Sequence, residues 1–140
     1  MRAYALIPCL LLLCGCVVAQ PAPTPAASSS APRIRTIASG ERQRIDYFYY
    51  LNPDCTSAGN ATIRIITPPA HGELTTEGGV DYPNFQKENQ RYQCNLRKSP
   101  VINVSYRSNP GYLGADSASI EVGSPITAII NSYIYKITVK

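Results

Sequence analysis

The chain has 140 residues, 13 Lys and Arg against 9 Asp and Glu, a formal charge of +4, ten tyrosines and no tryptophan. That length holds one domain with an adequate but not generous core. So small an excess of positive charge argues against nucleic acid as a partner, the more so for a chain that is exported.

Export is what the first residues imply. Arg2 supplies one positive charge, Ala3 to Leu13 is almost wholly apolar, and Cys14-Gly15-Cys16-Val17-Val18-Ala19 is mostly small. This is a signal peptide, too short in its apolar part for a spanning helix of about 20 residues. Two cleavage sites compete. Leu13-Cys14-Gly15-Cys16 resembles a bacterial lipobox, in which residues 1–15 leave and Cys16 is lipidated. Val17-Val18-Ala19 before Gln20 is an ordinary site, in which residues 1–19 leave. The expected location is the periplasm or a lipid anchor in the outer membrane, with free secretion as the alternative. Membrane contact is expected only through the N-terminal lipid. Residues 20–32 are Gln, Pro, Ala, Ser and Thr without charge. They cannot bury enough surface to fold and read as a disordered spacer, leaving 33–140 as the domain.

The domain shows period-two patterns and no helical period. Arg33 to Ala38 reads as a strand. Arg44 to Leu51 reads as another, with Ile45, Tyr47, Tyr49 and Leu51 on one face, stopped by Asn52-Pro53-Asp54. Ala61 to Thr67 comes next and ends at Pro68-Pro69. Gly72 to Thr76 is a short strand ending at Gly78-Gly79. Residues 80–99 are irregular, with one helical turn expected over Lys87 to Arg91. Val101 to Tyr106, Ser117 to Val122 and Tyr133 to Val139 each alternate apolar with polar. Ile126 to Ile130 is apolar and is expected to form a hairpin with the last strand. About seven strands without amphipathic helices suggest an all-β sandwich rather than a parallel sheet.

Cys55 and Cys94 are the cysteines of the domain. In an exported protein they are expected to pair, closing a loop of about 40 residues worth roughly 4 kcal/mol in chain entropy. The rival, a metal site, lacks ligands: His71 is the sole imidazole. No metal or other cofactor is expected.

Two stretches carry a resemblance. Thr67-Pro68-Pro69-Ala70-His71-Gly72-Glu73-Leu74 and Tyr106 to Val122, through Asn109-Pro110-Gly111-Tyr112-Leu113-Gly114-Ala115-Asp116-Ser117, resemble the bacterial Ig-like, cadherin-like repeats of surface proteins. The resemblance implies a strand–turn–strand corner for the first and a glycine-containing loop entering the penultimate strand for the second. The clustered acidic ligands of calcium-binding cadherins are not evident.

No catalytic constellation stands out. A small hydrolase would use His71 with Asp116, Glu73 being another conceivable partner of the imidazole. The leading expectation is a non-catalytic binding or structural module of the bacterial envelope. An accessory or inhibitory protein docking on one envelope enzyme is the first alternative. Partners are an envelope protein or an anionic polymer or lipid surface. The expected binding residues are Lys87, Arg91, Tyr92, Arg97 and Lys98, because loops on a rigid scaffold collect binding side chains.

Overall fold

The computed structural model describes residues 28–29 and 31–140. The signal peptide, both cleavage sites and Cys16 lie outside the described residues, as does most of the spacer.

Among the described residues there are eight strands, β1 (Ser28–Ser29), β2 (Arg33–Ile37), β3 (Arg42–Phe48), β4 (Thr62–Thr67), β5 (Gly72–Asp81), β6 (Ser99–Ser108), β7 (Gly114–Gly123) and β8 (Ile130–Val139), and one 3-10 helix at Tyr92–Leu96. Seven of them are five residues or longer. They form two sheets. In the first, β4, β7 and β8 run antiparallel, and β1 and β2 both add in parallel to the far edge of β8. The second is β3-β6-β5, all antiparallel. The protein is therefore all-β, with the two-layer arrangement of an Ig-like sandwich.

The alternation in the sequence explains the layers. From the second sheet, Ile45, Leu74, Val104 and Tyr106 are buried; from the first, Ile37, Ala118, Ile120, Val122, Tyr135, Ile137 and Val139. Each fully buried Ile or Val contributes about 1.5–3 kcal/mol, so the facing rows hold the sheets together.

Several elements differ from their sequence reading. β5 runs straight through Gly78-Gly79 to Asp81, in register with Val101 and Ile102. Ladder hydrogen bonds need no side chain, and at Gly79 a Cβ would lie 2.6 Å from the Asn103 side chain. Residues 124–129 form the turn of a β7–β8 hairpin rather than a strand of their own, because β7 and β8 pair to their ends, Gly123 with Ile130. The helical turn sits at Tyr92–Leu96, just after the expected position.

The face of β3 also changes. A bulge at Ile45 shifts the register so that Arg44 opposes Ser105 and Asp46 opposes Val104. A bulge puts one extra residue into the strand and re-aims the side chains beyond it. Ile45 stays buried, but Phe48 and Tyr50 pack on the core in place of Tyr47 and Tyr49.

Residues 82–98 form an excursion between β5 and β6, tied at several points to the loop after β3. Arg91 Nε donates to the Leu51 carbonyl at 2.6 Å. The Tyr49 hydroxyl donates to Asn84 Oδ1 at 2.6 Å and accepts from the Asn84 amide at 2.9 Å. Asn95 holds both backbone groups of Phe85 at 2.9 Å. Cys55 and Cys94 form a disulfide. Leu51, Cys94 and Val101 are as buried as the main core yet stand outside its cluster.

Candidate functional site

The bulge creates the most distinctive site. β2 and β3 are outer strands of the two sheets, and a seam opens between them. Asp46, carried inward by the bulge, accepts from the Tyr135 hydroxyl at 2.9 Å and from the Tyr47 amide at 3.0 Å, and it pairs with Arg33. Burial, and then the charge of Asp46 beside it, push the Tyr135 phenol far above its ordinary range. The Arg33 guanidinium lies over the Tyr133 ring, 4.2 Å from its centre, and 5.7 Å from that of Phe48. A cation over a ring face is held by the ring quadrupole.

Arg35 stands two residues on, on the same side of β2. Its Nε donates to the Ile45 carbonyl at 2.6 Å and its Nη1 to the Ile34 carbonyl at 2.8 Å. Ile45 is the bulged residue, so its carbonyl is one that the ladder leaves to other donors. Among the described residues no carboxylate lies within 4 Å of Arg35. Arg44 completes the set: it pairs with Asp81 at 2.5 Å and lies 4.9 Å from the Tyr47 ring centre.

Together these side chains line an open groove of about 730 Å³, with Tyr47, Phe48, Tyr49, Tyr50 and Tyr133 as its aromatic walls. A second groove of about 460 Å³ shares Tyr49, Tyr50 and Asn131 with the first and continues over Phe85 to Ile126 and Ile129.

The residues singled out in the sequence fall elsewhere. Arg91 lines the second groove. Lys98 lies 5.8 Å from the Tyr82 ring centre, Tyr92 is exposed in the 3-10 helix, and Arg97 closes that helix with its amide on the Cys94 carbonyl. Lys87 is exposed in the turn before it. The five share one excursion, and of them Arg91 lines one of the two grooves described. The arginine groove had a signal in the sequence that pattern reading missed: Arg33 and Arg35 two apart on a strand, and the run Tyr47-Phe48-Tyr49-Tyr50.

His71 and Asp116 do meet, through the backbone. Asp116 accepts from the amides of Ala70 and His71 at 3.0 Å, from the Ser117 amide at 2.8 Å and from the Tyr106 hydroxyl at 2.9 Å. Burial works to raise its carboxyl, but these four donors outweigh burial and hold it below the usual carboxylate range. Tyr106 is pushed up far beyond an ordinary phenol by burial and by Asp116. The His71 ring stacks on Tyr112 with 4.1 Å between centres. Among the described residues there is no cluster of His, Cys, Asp and Glu that would hold a metal ion.

No protein-family model, curated protein or solved structure matches the chain.

Proposed function

We propose that this protein is a non-catalytic binding module of the bacterial envelope, of the Ig-like, cadherin-like kind, and that it holds a carboxylate-bearing glycan in the seam groove. The observation that carries the reading is Arg35. Its guanidinium lines a groove walled by aromatic rings and is matched by no carboxylate of the described residues. The planar fork of Arg fits a carboxylate in two parallel hydrogen bonds. Tyrosines offer flat apolar faces with a hydroxyl at the end, the surface that suits a sugar ring.

The non-catalytic reading is supported by how three carboxylates, in the seam and outside it, are used. Asp46 and Asp116 are each surrounded by donors. Asp81 accepts from Arg44 and from the Tyr82 amide. The family assignment is supported by Asp116, which ties together the two stretches that carry the resemblance. The envelope location rests on the signal read in residues 1–19.

The test is binding of the purified protein to polygalacturonate, with neutral dextran as control. Wild type should bind the acidic polymer and release it as salt rises, because exposed charges are screened within about 10 Å at 0.1 M. Arg35→Gln and Arg44→Gln should each weaken binding about tenfold, with thermal midpoints measured beside them. Equal affinity for both polymers, or folded variants that bind unchanged, would refute the reading.

A further inference from the structure

We infer that the end of the sandwich bearing the β7–β8 turn docks on an anionic phospholipid surface. This rests on the exported reading of the N-terminus and not on the glycan groove.

The direction of the chain is the first argument. β1 and β2 run parallel to β8, with Ser28 opposite Asn131 and Arg33 opposite Tyr135. The chain therefore enters the domain at the end where β8 begins. Residues 17–27 lie between Cys16 and Ser28, and that length spans at most about 40 Å fully extended. A lipid on Cys16 would keep this end, rather than the end at Val139, next to the bilayer.

The surface at that end is the second argument. The segment from Gly123 to Asn131 carries no charge. Ile126, Ile129 and Ile130 are 54 %, 60 % and 52 % exposed on it. Three large aliphatic side chains on one short turn form the kind of exposed apolar patch that marks a contact surface. Tyr49, Tyr50 and Phe85 line the groove beside Ile126 and Ile129. Aromatic side chains of this kind favour the headgroup level of a bilayer.

Charge is the third argument. The disulfide ties the excursion to the loop beyond Tyr50 and Leu51, so its cations belong to the same end of the molecule. Arg91 lines the groove with Ile126 and Ile129. Lys87, Arg91, Arg97 and Lys98 outnumber Glu88 and Asp54 there. A Lys or Arg near an anionic leaflet strengthens binding about fivefold. An apolar tip flanked by cations matches an acyl boundary under acidic headgroups. The basic residues of the excursion, which do not gather around one groove, have a use on a flat charged surface.

The experiment uses the mature exported protein carrying Cys16→Ser, with the signal removed and no lipid attached, and vesicles of phosphatidylglycerol or of phosphatidylcholine. Co-sedimentation should favour phosphatidylglycerol at least tenfold and fall with salt. Ile126→Ser with Ile129→Ser should reduce it about tenfold, and separately Lys87→Glu with Arg97→Glu at least about 25-fold, both at unchanged thermal midpoint. An Ile129→Trp variant should shift its emission to the blue on phosphatidylglycerol vesicles. Arg35→Gln should leave vesicle binding intact, which separates failure here from failure of the glycan reading. No preference for phosphatidylglycerol, unaltered binding by the folded isoleucine variant, or self-association through Ile126 and Ile129 in place of vesicle binding would overturn the inference.

Discussion

The Tyr135 hydroxyl of one sheet donates 2.9 Å across the sandwich to Asp46 of the other. This bond exists because a bulge at Ile45 turns the next residue inward. Without the bulge Asp46 would face solvent on β3, and Arg33 would lose its counter-charge in the seam.

Tyr135→Phe should therefore cost about 1–3 kcal/mol, the range for a bond to a buried charged group. Its phenol is held un-ionised by burial and by Asp46. The stability it contributes is complete below about pH 10, the value of an unfolded tyrosine, and is lost as pH rises through the raised folded value. Urea titrations from pH 7 to 11 should show wild type losing stability more steeply than Tyr135→Phe. Parallel slopes would contradict this.

Asp116 acts in the opposite pH direction. Its carboxyl is held low by four donors despite burial. The stability is complete above about pH 4 and is lost as pH falls through the lowered folded value. Asp116→Ala should cost about 3 kcal/mol, because three backbone amides and the Tyr106 hydroxyl lose their acceptor. Asp116→Asn should make the acid dependence between pH 5 and 2 shallower than in wild type, leaving the shares of Asp54 and Asp81, which are also held low by hydrogen bonds.

The Cys55–Cys94 disulfide closes a 39-residue separation. Its loss should cost roughly 4 kcal/mol by chain entropy. The loss should be felt first in the excursion, whose Cys94 is buried outside the main core cluster. Hydrogen exchange in residues 82–98 should quicken on reduction before the amides of Val104 or Ile120 do. Thiol labelling of the denatured, unreduced protein should find no free domain thiol.

The alternation of Ile102, Val104 and Tyr106, of Ala118, Ile120 and Val122, and of Tyr135, Ile137 and Val139 made the sandwich legible, since a half-buried strand has few other ways to place its apolar side chains. The Asn-Pro-Asp stop after Leu51 was legible for the same kind of reason. The groove was not. A bulge leaves no mark in an alternating stretch until its partner strand is known, so Asp46 and Phe48 looked outward and Tyr47 and Tyr49 inward. Asp116 stands in the loop entering the penultimate strand, where the sequence brings only local amides into view. Two of the amides it holds belong to Ala70 and His71, more than forty residues away, and period-two reasoning carries no long-range pairing of this kind. Ile126 to Ile130 reads as a strand hairpinned to the last one because hydropathy alone does not separate a strand from an exposed apolar turn.

The central claim is that the seam between β2 and β3 holds an anionic glycan. The most direct measurement is a titration of the isotope-labelled protein with an oligogalacturonate, monitored by amide and arginine side-chain NMR shifts. The expected result is a saturable set of shifts concentrated on Arg33, Arg35, Arg44, Tyr47, Tyr49 and Tyr133, and absent with a neutral oligosaccharide. Shifts spread evenly over the surface lysines and arginines, or centred on His71 and Asp116, would contradict the account.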